Sequence, residues 1–201
     1  MNFETVKTNL ERRGYTVSCF DSAREAADYL DAVIDQKTVG TGGSVTLEQL
    51  GIGDRLATHN RVYTHTRLAP GQTAHDIFPL AATAQVYLSS VNGLAESGEI
   101  VNIDGNCNRI SAMCFGHEKV YLIVGKNKIA PDYEAALWRA RNIAAPKNAK
   151  RLGKNTPCAK EADRCYDCHS PERICHALMV FWERPRACQT EVVLIDEELG
   201  Y

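Results

Sequence analysis

The sequence has no apolar run approaching the ~20 residues a membrane-spanning helix needs, so membrane insertion is not expected. It shows no secretory leader: MNFETVKTNLERRGY is charged and amphipathic, without an apolar core or a small-residue cleavage site. Neither sign of charge dominates. With 23 basic against 25 acidic residues and a formal net charge of −2, nothing calls for nucleic acid or an anionic lipid surface. Internal repeats and low-complexity tracts are also lacking, which excludes a repeat architecture. An ordinary globular composition over 201 residues suits one domain with its own core, expected in the cytoplasm. Against that background the eight cysteines stand out, because a reducing cytosol does not sustain structural disulfides.

Periodicity places the elements. Phe3, Val6 and Leu10 recur at helical spacing before Gly14, and Tyr15 to Phe20 alternates as a strand. Asp21 or Ser22 can cap a second helix that buries Ala26, Ala27, Leu30, Val33 and Ile34. Lys37 to Gly40 reads as a strand running into a glycine turn, and Val45 to Leu50 begins a helix. A further helix is expected around Asp76–Ala84, followed by strands at 86–89, 99–103 and 119–124. The unbroken apolar run Val120 to Val124 suits a strand covered on both faces. Pro131 is expected to open a helix and Pro146 to end it. Alternation of helix and strand up to Pro146 predicts an α/β fold, a mainly parallel sheet flanked by helices. Beyond it, Lys147 to Lys154 reads as basic and helix-poor, and Glu191 to Ile195 as a last strand. Residues 147–189 are therefore expected as a small cysteine-rich, metal-binding insertion within a single 1–201 domain, too poor in apolar residues to fold without a staple.

Cys158, Cys165, Cys168 and Cys175 form that staple. Two residues separate the central pair, so both thiolates can reach one centre from a single turn, and the outer two can close it from either side. A [4Fe–4S] cluster is the first expectation and zinc the second; free thiols or labile disulfides are the competing reading. The spacing resembles the iron–sulfur loop of endonuclease III glycosylases, a likeness confined to the loop. Cys19, Cys107, Cys114 and Cys188 read as small core or loop residues.

Two further motifs carry chemistry. Gly40, Thr41, Gly42, Gly43 and Ser44 stand where a strand hands over to a helix, the local arrangement of an anion-binding loop, although such glycines serve plain turns as often. No lysine follows in the nucleoside-triphosphate position. Between Ser90 and Arg109, Glu96, Glu99 and Asp104 are candidate acid–base carboxylates and Asn92 an orienting amide; hairpin turns explain the same stretch equally well. Lys126 and Lys128 follow the most buried strand at the end where open parallel sheets bind ligands.

Together, GTGGSVTLEQLGI, YLSSVNGLAESGEIVNIDGNCNRISA, KVYLIVGKNKI and the helix ending in NIAAP resemble the LUD domain of lactate-utilization proteins, the former DUF162 family. PCAKxxxxCxDCxSPxRIC, as it stands here from Pro157 to Cys175, resembles a short branch of that family. The resemblance implies a sheet similar to ribose-5-phosphate isomerase and CoA-transferase folds, with Gly40–Ser44 in the place of their phosphate or cofactor loop and Glu96 in an acidic segment. It also implies a role in organic-acid utilization, either as an accessory redox component with an iron–sulfur or dehydrogenase partner, or as an enzyme or sensor for a small anionic metabolite. Whether the chain is an enzyme at all stays open at this point.

Overall fold

Val6 and Leu10 share the buried face of α1 (Glu4–Arg12) in the computed structural model, which describes residues 3–201. β1 (Thr16–Phe20) follows, then α2 (Ala23–Val33), whose cap is Ser22: its hydroxyl accepts from the Glu25 amide. β2 (Thr38–Thr41) passes through the glycine turn to α3 (Val45–Leu50) and α4 (Ile52–Leu56). The polar stretch beyond holds a strand not read from sequence, β3 (Arg61–Thr64), and then α5 (Ala74–Ala82). β4 (Val86–Ser90), β5 (Gly93–Ala95), β6 (Ile100–Asp104), α6 (Asn108–Cys114) and β7 (Lys119–Gly125) come next. A 3-10 turn at Lys126–Lys128 leads to β8 (Ile129–Ala130). The chain ends with α7 (Tyr133–Arg139), a π turn at Ala140–Ala144, α8 (Ala145–Arg151), α9 (Pro157–Glu161), β9 (Ala177–Phe181) and β10 (Gln189–Ile195).

Six strands form one fully parallel sheet in the order β1-β10-β7-β4-β2-β3, so the α/β expectation holds. The apolar run of β7 divides by parity. Val120, Leu122 and Val124 enter one core with Leu10 and Met113, while Tyr121 and Ile123 enter another with Leu30 and Ile52. β10 divides the same way, its apolar residues Val192 to Ile195 feeding both cores.

A second sheet, β8-β5-β6-β9, was not read from sequence because its strands are short and β5 and β6 meet at a tight turn. α7 and the π turn after it pack on it through Ala136 and Ala140 against Ala95, Val101 and Ala130. Small residues let the helix approach closely, and Gly93 has no room for a Cβ beside the Ala136 carbonyl.

Two readings need correction. Pro131 precedes the helix instead of opening it; Asp132 is the cap, its carboxylate accepting from the Ala135 amide at 2.8 Å. Pro146 does not end the helix, and Lys147 to Arg151 are helical in α8. The π turn just before Pro146 widens the ladder and removes the clash a proline ring makes with the carbonyl one turn back. The cysteine segment runs between α8 and β9, and β9 pairs along its length with β6. Among the described residues no helix is long and apolar enough to cross a membrane.

Candidate functional site

Parallel strands point the same way, so the segments following β2 and β4 and the turn after β7 gather at one end of the sheet. There they border a cavity of about 530 Å³, lined by Gly43, Ser44, Asn92, Asp104 and Lys128 from the sequence reading. The same wall holds Thr46, Arg109, Arg151, Lys154 and Arg173, none of which that reading selected as a site residue.

Lys128 is the most constrained of these groups. The 3-10 turn folds its chain back under the sheet, leaving it 4% exposed, and its ammonium donates to Thr46 Oγ1 and Ser90 Oγ, each at 2.8 Å. Among the described residues it makes no ion pair. Burial, then the nearby charges of Arg139 and Arg109, push its pKa down to about 7. Arg109 is held by Ser90 O, Ile103 O, Asn92 Oδ1 and Asn102 Oδ1, so it braces the cavity wall with its donors already engaged. Its Nε lies 3.7 Å from Asp104 Oδ2.

Asp104 lines the cavity, but its carboxylate is committed to the chain. It accepts from the amides of Asn106, Cys107 and Ile110 and thereby ties β6 to the start of α6. Asn92 likewise accepts from the Ile103 amide at 2.8 Å and orients Arg109. Both are scaffold groups in this arrangement.

The remaining candidates, apart from Ser44 in the cavity wall, lie elsewhere. Gly40 is in β2, where a Cβ would collide with the Ala81 carbonyl, and Thr41 is buried beside it, so both serve packing. Gly42 leaves space for Arg109 and Tyr87: a Cβ there would lie 2.9 Å from the tyrosine hydroxyl. Ser44 uses its hydroxyl to cap α3 through the Leu47 amide. Lys126 turns outward to Asp196 at 2.9 Å, because two steps of about 120° along the 3-10 turn part its direction from that of Lys128. Glu96 is exposed at the turn after β5 and does not line the cavity; its carbonyl accepts from Asn9.

A second cavity, about 280 Å³, is lined by all four clustered cysteines, Cys158, Cys165, Cys168 and Cys175, amid Ile103, Pro146, Ala149 and Ile174. Arg173 Nε lies 3.2 Å from Cys175 Sγ, Arg141 Nη2 lies 3.7 Å from Cys165 Sγ, and the Asp167 amide donates to Cys165 Sγ at 3.4 Å. Among the described residues no three His, Cys, Asp or Glu side chains are gathered as a single ion requires. The two cavities share Ile103, Ala145, Arg173, Ile174 and His176 as a common wall. Arg151 and Lys154 carried one sequence signal, the basic run Lys147 to Lys154, whereas Arg173 lies outside it in the cysteine motif. Arg109 carried none beyond its place at the end of a polar stretch.

The family described as the LUD domain matches residues 3–195. Among solved structures the chain is similar to a DUF162 family protein from Deinococcus radiodurans, at 12% identity and a TM-score of 0.49, over 97% of this chain and 99% of that one. No curated protein matches the chain.

Proposed function

The chain belongs to the LUD domain family, which is linked to lactate utilization, and from that premise we propose that it is an accessory redox protein of organic-acid metabolism, with a four-thiolate metal centre beside a pocket for a small anion. The observation that carries the reading is that Cys158, Cys165, Cys168 and Cys175 border one cavity and that this cavity shares a wall with the basic pocket.

An all-thiolate donor set around one cavity suits zinc or a [4Fe–4S] cluster, and our reading is the cluster. Held there, it would supply one-electron transfer. The chain's own part is to set the surroundings: Arg141, Arg173 and the Asp167 amide offer N–H donors to sulfur, and an apolar shell limits water. The larger cavity attracts an anion through Lys128, Arg151, Lys154 and Arg173.

Protein purified without oxygen is expected to contain iron and acid-labile sulfide in equal amounts and to show an EPR signal on reduction, with Cys165→Ser losing most of the iron. Stoichiometric zinc with no redox-active signal would remove the electron-transfer role, and protein free of both metals would remove the metal centre. The size and polarity of the larger cavity favour one second reading, an enzyme or sensor for a carboxylate- or phosphate-bearing metabolite with a purely structural metal. Zinc together with ligand-dependent melting shifts would select it.

A further inference from the structure

Lys128 has more chemistry around it than a charge partner for an anion needs. It sits in the wall of the larger cavity, almost wholly buried, between two hydroxyls at 2.8 Å and with no ion pair among the described residues. Of the two acidic side chains lining the pocket, Asp104 is bound to three amides and lies against Arg109, and Glu172 accepts from the Asn155 amide. The backbone of Gly200 closes over the amine: a Cβ on that residue would lie 3.2 Å from Nζ. A lysine desolvated beside other cations, with hydroxyls in contact, is the arrangement that activates an amine as a nucleophile.

We infer that Lys128 condenses reversibly with the carbonyl of a small 2-oxo acid to form a Schiff base. The inference rests on the anion pocket proposed above and is independent of the metal centre. Nζ as the free amine adds its lone pair to the carbonyl carbon. The carbonyl oxygen takes up a proton, and the carbinolamine then loses water as the C=N bond forms, so one amine and one carbonyl give one imine and one water. Ser90 and Thr46 accept from Nζ and donate onward to the Ile123 and Leu199 carbonyls, so they hold the amine in place, and solvent carries the protons. Arg151 and Lys154 at the rim attract the carboxylate, and a cavity of about 530 Å³ suits a metabolite. The lowered pKa supports this chemistry: near pH 7 Lys128 holds about a thousandfold more free amine than an ordinary lysine.

The test is reductive trapping of the full chain with pyruvate and cyanoborohydride, read by peptide mass spectrometry. The expected result is an adduct on Lys128 exceeding that on any surface lysine by more than about tenfold, suppressed by excess lactate and absent in Lys128→Arg. Equal labelling of Lys126 and Lys147, or no adduct on Lys128 while pyruvate still raises the melting temperature, would overturn the assignment. If Lys128→Arg fails to fold, peptide mapping of the wild-type chain decides alone. An iron assay on the same sample separates this result from the fate of the metal-centre reading.

Discussion

Replacing Lys119 with Met is expected to lower folding stability by about 3–5 kcal/mol, the usual cost of leaving a buried charge without its partner. Glu191 lies on the central strand β10, 2% exposed, where it accepts from Lys119 Nζ at 2.8 Å, Ser18 Oγ at 2.7 Å and Tyr29 OH at 2.8 Å. Burial alone would raise its pKa, but these three donors outweigh burial and hold the carboxyl below its ordinary value. Lys119 is also the strand partner of Gln189 in β10, and its ammonium lies over the Tyr121 ring. Urea unfolding measures the loss, and a melting temperature that falls by less than about 3 °C would show that water replaces the lysine. A depressed carboxyl pKa adds stability that is complete above the unfolded value of about 4.3 and is lost as pH falls through the folded value. The wild-type advantage over Glu191→Gln should therefore be largest near neutrality and close below about pH 4.

Gly40→Ala is expected to destabilise by about 3 kcal/mol, at the upper end of the cost of overpacking a core. The new methyl would meet the Ala81 carbonyl on α5 and the Tyr87 ring at 3.0 Å. The carbonyl belongs to helix backbone, so relief requires α5 to move away from β2. A melting curve tests stability while ligand titration tests the pocket. The expected pattern is a clear fall in melting temperature with ligand affinity largely kept, since Gly40 does not line the cavity. Normal stability with lost binding would restore Gly40 to the ligand loop.

The strong hydrophobic patterns were legible in the sequence. Val120 to Val124 and Val192 to Ile195 carry the period of a doubly covered strand, and Phe3, Val6 and Leu10 carry that of a helix face. Short strands escaped because Gly93–Ala95 and Ile129–Ala130 carry no period long enough to read. Pro146 misled because a π turn is invisible to pattern reasoning and changes what a proline does. At the site, the strand-end rule found Lys128 but could not separate it from Lys126, since two residues of 3-10 turn decide which one turns inward. Asn92 and Asp104 stand out in the sequence as polar residues; Asn92 binds an amide eleven positions away, while Asp104 binds amides two, three and six positions on, a local turn pattern that reads equally as a catalytic carboxylate. Arg151, Lys154 and Arg173 reach the pocket only because α8 and the cysteine segment fold across its mouth.

The position of β10 also bears on how the chain assembles. β1 joins the large sheet through β10 alone, with Thr16 to Phe20 facing Glu191 to Ile195 across almost the whole sequence. On a ribosome, β1 must therefore wait with its strand edges open until residues 189–195 have emerged. Closing a loop of that length slows the final step and exposes an unpaired edge meanwhile. Truncation before Gln189 would remove the wedge between β1 and β7, leaving a chain that should partition to chaperones or aggregates instead of a smaller active protein.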